Sequence, residues 1–387
     1  MSKPRVLVTC YPQAGHLHPL IPTARALADA GCSVLVATSA SEHATLSAAG
    51  LEAIDLGPSH AETGTRRGEV MSEALAAPPS ARRAIFFSFI FGRVYASAVA
   101  DDLFECARSW CADVILSSLE SLAGPLVAAR LGRPLVVNGF GTGLANDVCE
   151  AAARAVVPLW ERAGLAVPPA AGLFDGLYVN PCPPSLRPDD VPVAPRSQAV
   201  RPAQFDGAGD LPSLPTRRPL IYVTFGTNRM FATPERLRAI AGAIAAAGAS
   251  AVITGLEPQA LADLPDGVVA HRFVPQSMVL PHCDAVVCHG GASTLLGALG
   301  TGLPLLLLPI GADHFANTGA AVRRGVALAL ESDADVGAVQ AGIVRILSDP
   351  DLRSSAAAVS EEIAAMPNAA AAGDAILGWL EEQSGAA

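Results

Sequence analysis

The chain has 387 residues, of which 51% are hydrophobic and 16% charged. Its mean hydropathy is +0.38, so it can bury two sizeable cores, and intrinsic disorder is excluded. A net charge of −10 argues against nucleic acid or an anionic membrane surface as the main partner. Any polyanionic ligand must be held by local donors rather than by a global positive field. Lys3 is the only lysine beside 25 arginines, which excludes a lysine Schiff base in a folded site and pyridoxal phosphate chemistry with it.

Eight cysteines (Cys10, Cys32, Cys106, Cys111, Cys149, Cys182, Cys283 and Cys288) include no CxxC pair. Several fall in apolar segments, the usual place of inert buried thiols, and a reducing cytoplasm is expected. The first strand begins at Arg5, leaving no room for a signal peptide. No apolar run reaches the length of a membrane span, and the longest candidate, residues 84–100, is broken by Arg93.

In chain order, the pattern predicts strand 5–10, helix 18–30, strand 33–38, helix 41–49 and strand 51–56. Residues 60–80 lack a clear period and read as a mobile loop able to close over a ligand. Helix 95–109, strand 113–117, helix 121–131 and strand 134–138 follow. A segment rich in Pro, Gly and Asp, 192–219, reads as an interdomain linker. A second series begins with strand 220–225, helix 234–247 and strands 250–254, 268–273 and 284–288. It ends with helix 293–301, strand 304–308, helix 315–324, strand 326–330 and helix 335–348. Short apolar strands alternating with helices imply parallel sheets covered on both faces. The expected fold class is α/β: two Rossmann-like domains facing a cleft, with ligands at the carboxyl ends of the strands. Asp333-Ala334-Asp335 superficially matches a DxD metal motif, but its place before helix 335–348 reads as a helix cap.

The most informative stretch is Cys288-His289-Gly290-Gly291-Ala292-Ser293-Thr294. It joins an apolar strand to a helix, and the Gly-Gly turn allows close backbone approach to a ligand. The helix that opens there aims free N–H groups and a positive dipole end at the same point. An imidazole and two hydroxyls add donors, so the stretch describes a diphosphate site. A bare strand-to-helix turn with a core histidine is the competing reading.

Arg272-Phe273-Val274-Pro275-Gln276, Pro281-His282-Cys283-Asp284, His289-Gly290-Gly291, Gly302-Leu303-Pro304 and Pro309 together resemble the donor signature of family-1 glycosyltransferases. Gly15-His16-Leu17-His18-Pro19-Leu20 resembles that family's acceptor-side motif, and the likeness covers nearly the whole chain in order. The closest likeness is to bacterial enzymes that attach deoxysugars to natural products. The resemblance implies the GT-B fold and inverting, metal-independent transfer, with no cofactor beyond a nucleoside diphosphate sugar as co-substrate. It implies an acceptor-binding domain over 1–200, a linker over 201–218 and a nucleotide-sugar-binding domain over 219–387, whose last helix returns to the first domain.

On the same footing, His16 is the base that deprotonates the acceptor hydroxyl; capping of helix 18–30 by His16 and His18 is the plainer alternative. The family orients that base with an acidic residue after the fourth strand, where this chain has Ser118. Glu120, two residues on, is the candidate replacement, and an unassisted base or low activity the alternatives. The donor side is assigned to Gly226, Thr227, Arg272, Val274, Gln276, His289, Gly290, Gly291, Ser293, Thr294, Asp313 and His314. Uridine-donor members carry a Glu eight residues after the motif histidine for the ribose hydroxyls. Here it is Gly297, which suits a thymidine diphosphate sugar lacking the 2′-hydroxyl. Asp313-His314 in place of Asp-Gln suggests a changed sugar, such as a deoxy- or aminosugar.

The aromatic run 85–91 either packs a helix core or lines a pocket for a flat, apolar acceptor. Phe86, Phe89, Met71 and Phe140 are the candidate acceptor contacts. The expected partners are a small hydrophobic acceptor and a nucleotide sugar, with no nucleic acid and no stable membrane insertion. A silent homologue, a UDP-sugar enzyme, a nucleotide-sugar epimerase and a lipid-linked cell-wall transferase are the alternatives.

Overall fold

A computed structural model describes residues 3–206, 209–226, 231–261 and 263–385. Among the described residues, thirteen short strands form two sheets, and all their pairings are parallel. The first contains β1 (Arg5–Thr9), β2 (Ser33–Thr38), β3 (Glu52–Asp55), β4 (Val114–Ser118), β5 (Leu135–Asn138), β6 (Leu177–Asn180) and β7 (Ser197–Ala199). Its order is β3-β2-β1-β4-β5-β6-β7. The second contains β8 (Leu220–Thr224), β9 (Ser250–Thr254), β10 (Val268–His271), β11 (Ala285–Cys288), β12 (Leu305–Leu307) and β13 (Ala327–Ala329). Its order is β10-β9-β8-β11-β12-β13.

The strands are apolar runs because helices cover both faces of each sheet. Leu7 pairs beside Leu35 and Ile115 and enters one buried cluster with Tyr95, Val99 and Leu126. Its neighbours Val6 and Val8 point to the opposite face, with Leu17, Ile21 and Leu27. In the second sheet, Val223 lies between Ile253 and Val287 in a cluster with Leu237, Ile240 and Ile343.

Each sheet reverses its strand order once, between β1 and β4 in the first and between β8 and β11 in the second. The loops leaving such paired strands diverge to opposite faces, which opens a crevice at their carboxyl ends.

The chain divides into two units. The first runs to Cys182, resumes over Pro188–Phe205 and ends with the segment from Pro367; the second takes Pro183–Arg187 and Asp206–Met366. These bounds differ from the expected 1–200, 201–218 and 219–387. Asp206, placed in the linker by composition, accepts hydrogen bonds from the backbone N–H of Gln276 and Ser277, each at 2.9 Å. At the other end, the helix Ala369–Gly385 packs on the helix Ile21–Asp29 and buries Ala372, Ile376 and Leu380 in the first unit.

Residues 60–80 are not the expected loop. They form helices His60–Thr65 and Arg67–Ala76 and the start of Pro79–Phe87. Ser59 starts this run through a capping box: its hydroxyl accepts from the Glu62 N–H, and the Glu62 carboxylate accepts from the Ser59 N–H. Residues 81–109 form one helix of sufficient length and apolarity to span a membrane, contrary to the sequence reading. Half of its most apolar window is buried inside the protein, with Tyr95, Ala96, Val99 and Leu103 in the core. Between residues 88 and 96 this helix is wound as a π-helix. Asp335 caps the helix Val336–Ser348 by accepting from the Ala338 N–H at 2.8 Å, the role read from its position.

Candidate active site

The crevice of the first sheet holds an imidazole and a carboxylate. After β1, residues 10–13 lead into a single helical turn, Ala14–Leu17, which carries His16. After β4, the Ser121 N–H bonds back to the Ser118 carbonyl in a tight turn that carries Glu120. His16 Nδ1 lies 3.3 Å from Glu120 Oε1; the histidine side chain is 16% exposed and the glutamate wholly buried. Neither Glu120 oxygen accepts a hydrogen bond among the described residues, so its contact with His16 is a close approach rather than a formed hydrogen bond. Ser118 ends β4 with its hydroxyl buried and without a hydrogen-bond partner. The acidic residue beside His16 is therefore Glu120, presented by the turn rather than by the strand end.

Three aromatic rings stand edge-on to His16: Tyr11 at 5.5 Å, Phe91 at 5.3 Å and Phe140 at 5.4 Å between centroids. Of the four candidate acceptor contacts, Phe140 packs its ring on His16. Phe89 packs against the core, Phe86 is half-buried, and Met71 is exposed on the helix Arg67–Ala76. Tyr11 and Phe91 were not singled out from sequence. Phe91 lies in the aromatic run and Tyr11 two residues after β1, and those were the signals available.

The crevice of the second sheet is built around a second imidazole. His289 follows β11, 7% exposed, with its ring lodged beside two glycines. A Cβ at Gly226, where φ is +76°, would lie 3.0 Å from the ring, and a Cβ at Gly291 would lie 2.5 Å from Nε2. His314 meets the ring edge-on at 4.4 Å between centroids. Burial, then the neighbouring His314, push the His289 imidazole down to about 3, against opposing effects of Asp313 and the Thr224 backbone. At neutral pH it is an uncharged ring carrying one N–H.

The helix Ala292–Gly300 begins beside this ring, with Gly291 as N-cap, Ser293 exposed and Thr294 buried in its first turn. Thr294 Oγ1 accepts from Gln276 Nε2 at 3.2 Å. Val274 is buried, and the exposed Arg272 guanidinium pairs with Glu257 at 3.1 Å. Asp313 accepts from Asn317 Nδ2 at 2.6 Å, and Asn317 also donates to the Gly290 carbonyl. His314 is turned into the protein: its Nδ1 accepts from the backbone N–H groups of Ile310 and Gly311, and Phe231 packs on its ring at 5.2 Å. Thr227 lies outside the described residues. Among the described residues, no three His, Cys, Asp or Glu side chains form a group able to hold a metal ion.

Residues 25–209 match the family described as erythromycin biosynthesis protein CIII-like, N-terminal domain, and residues 239–376 match its C-terminal domain. The L-demethylnoviosyl transferase of Streptomyces niveus is 30% identical over 379 residues, 95% of this chain and 96% of that protein. The tylactone mycaminosyltransferase of Streptomyces fradiae is 30% identical over 95% of this chain and 90% of its own. Among solved structures, the glycosyltransferase SsfS6 of Streptomyces sp. SF2575, complexed with thymidine diphosphate, superposes with a TM-score of 0.78. It is 26% identical and covers 97% of this chain and 99% of its own. The spinosyn rhamnosyltransferase SpnG superposes with a TM-score of 0.80 at 26% identity, over 98% of this chain and 100% of its own. Two parallel-sheet α/β units of this kind define a GT-B glycosyltransferase. The chain belongs to the erythromycin biosynthesis protein CIII-like family, the family-1 glycosyltransferases that tailor natural products.

Proposed function

We propose that the protein is an inverting, metal-independent glycosyltransferase that moves a deoxysugar from a dTDP-sugar to a hydroxyl of a hydrophobic natural product. The observation that carries this reading is the His16–Glu120 pair at 3.3 Å, with its carboxylate wholly buried. Glu120 faces Nδ1, which leaves Nε2 to take the proton of the acceptor hydroxyl as its oxygen attacks the anomeric carbon. The carboxylate then stabilises the imidazolium that forms. Attack and departure occur on opposite faces of the sugar, and the configuration inverts. The leaving diphosphate takes its stabilisation from the neutral His289, the first-turn N–H groups of Ala292–Gly300 and the Ser293 and Thr294 hydroxyls. The pairing of His16 with a carboxylate disfavours a silent homologue.

Thymidine specificity is supported by Gly297, which has no side chain for a ribose 2′-hydroxyl, and by the thymidine diphosphate complexes of SsfS6 and SpnG. A hydrophobic acceptor is supported by the aromatic rings around His16 and by the spinosyn aglycone complex of SpnG. Two measurements test the proposal. dTDP at about 100 times its Kd should stabilise the fold by about 2.7 kcal/mol, with a smaller shift from UDP at the same concentration. Equal shifts would discard the thymidine preference. His16→Ala should keep the dTDP shift and lose transfer, and wild-type turnover in that variant would remove the base.

A further inference from the structure

The helices at 60–76 reach the His16 loop through a chain of hydrogen bonds whose direction can be read link by link. Arg67 Nη2 lies 3.2 Å from His60 Nε2. A guanidinium only donates, so Nε2 accepts. Burial, Arg67 and His16 push the His60 imidazole down to about 4, so at neutral pH its one proton sits on Nδ1. That atom lies 3.0 Å from the Tyr11 hydroxyl oxygen and donates to it. The Tyr11 proton is then left for Thr63 Oγ1, at 2.5 Å. The Thr63 hydroxyl in turn donates to the carbonyls of Ser59 and His60, 3.1 Å from each. The direction of each link is fixed, although the Thr63 proton is shared between its two carbonyls and the Tyr11 oxygen also receives Arg67.

Tyr11 is buried, and its ring is also fixed edge-on by Phe91 and Tyr95, each 5.0 Å away. The Tyr95 hydroxyl donates to the Cys10 carbonyl at 2.8 Å. Packing alone would be satisfied by phenylalanine at position 11. The hydroxyl adds a directional tie from the loop that carries His16 to two helices more than 45 residues away in sequence. A ring held both by its edges and by its hydroxyl has one orientation, and His16 packs against that ring.

We propose that Tyr11 and His60 are positioning residues for sugar transfer, holding the His16 loop to the helices His60–Thr65 and Arg67–Ala76 through the Arg67–His60–Tyr11–Thr63 chain. This rests on the reading of His16 as the base. Long-range 1H–15N spectra of the labelled full chain at pH 7 test it directly. His60 should show a neutral ring protonated at Nδ1; an Nε2–H tautomer or an imidazolium would overturn the chain. Tyr11→Phe and His60→Leu should both shift the His16 ring signals, whereas His60→Asn, which keeps a donor near the Nδ1 position, should restore them. Unmoved His16 signals in the first two variants, or no rescue by asparagine, would overturn the positioning role.

With a dTDP-deoxysugar and a hydroxylated hydrophobic acceptor that the wild type turns over, Tyr11→Phe should lower kcat on the order of tenfold and leave the donor KM unchanged, as partial misplacement of a base requires. His16→Ala tells the two readings apart. Wild-type turnover there overturns the base and this role together. Lost turnover there, with an unmoved His16 spectrum in Tyr11→Phe, overturns the positioning alone.

Discussion

A carboxylate that is wholly buried with a single imidazole for company is costly to maintain, because it surrenders water and recovers little from one partner. Nothing in the packing of β4 requires a charge at Glu120, which sits in a turn beyond the strand. Replacement by a neutral isostere should therefore separate stability from activity. Glu120→Gln is expected to leave the melting temperature unchanged or raised while turnover falls on the order of 10²-fold or more. Calorimetry beside a transfer assay checks both halves, and a large loss of stability would show that the pair holds the fold.

His289 makes the opposite kind of statement about pH. Its folded value, about 3, lies below the ordinary histidine value of about 6.5. The unfolded chain therefore binds the extra proton first, and this group's stabilisation is full above pH 6.5 and declines as the pH falls. At pH 5 the loss from this one ring is about 2 kcal/mol. The depressed His60 acts in the same direction over a window closing near pH 4. Melting temperatures between pH 7 and pH 5 should drop, and His289→Gln should flatten the profile. A flat wild-type profile over that range would show that the ring is not held neutral by burial.

At the scale of the element, the start of the helix Ala292–Gly300 is tuned to its neighbour. Gly291 has an ordinary φ of −63°, so glycine is needed there for space: a methyl group would sit 2.5 Å from His289 Nε2. Gly291→Ala should displace the ring, cost about 1–3 kcal/mol through overpacking and abolish the dTDP-induced thermal shift. A preserved shift would mean that the imidazole does not meet the diphosphate.

Most elements were legible because parallel strands covered on both faces are plain apolar runs, such as Val6–Val8 or Val286–Val287, and because the Gly290-Gly291 pair marks where strand turns to helix. Three features were not, each for a physical reason. The helices at 60–76 are short and held by a cap and by tertiary hydrogen bonds rather than by an apolar stripe. Glu120 could be chosen over Ser118 only once the turn after β4 was known. The phenylalanines taken as candidate acceptor contacts were read with an α-helical step. The π-helical winding over 88–96 changes that step, so Phe91 rather than Phe86 or Phe89 meets His16.

For the whole molecule, the last helix is the part whose place in sequence and place in structure disagree. Ile376 and Leu380 are buried with the first unit, and two such side chains contribute about 3–6 kcal/mol. Truncation after Met366 should therefore lower the unfolding temperature of the first unit while leaving the dTDP response of the second in place. Limited proteolysis of the truncated chain would then cut within the first 205 residues. Cuts concentrated in 206–366 would contradict that assignment.

Recombination between relatives inherits this arrangement. A hybrid made with one junction near residue 206 would pair one parent's Ala369–Gly385 helix with the other parent's Ile21–Asp29 helix, a mismatched contact in the first unit. A transplant of 206–366 through two junctions keeps each terminal helix with its own partner. The better unit of exchange in this protein is thus an internal cassette, and libraries that shuffle the second unit should be built as insertions rather than as tail swaps.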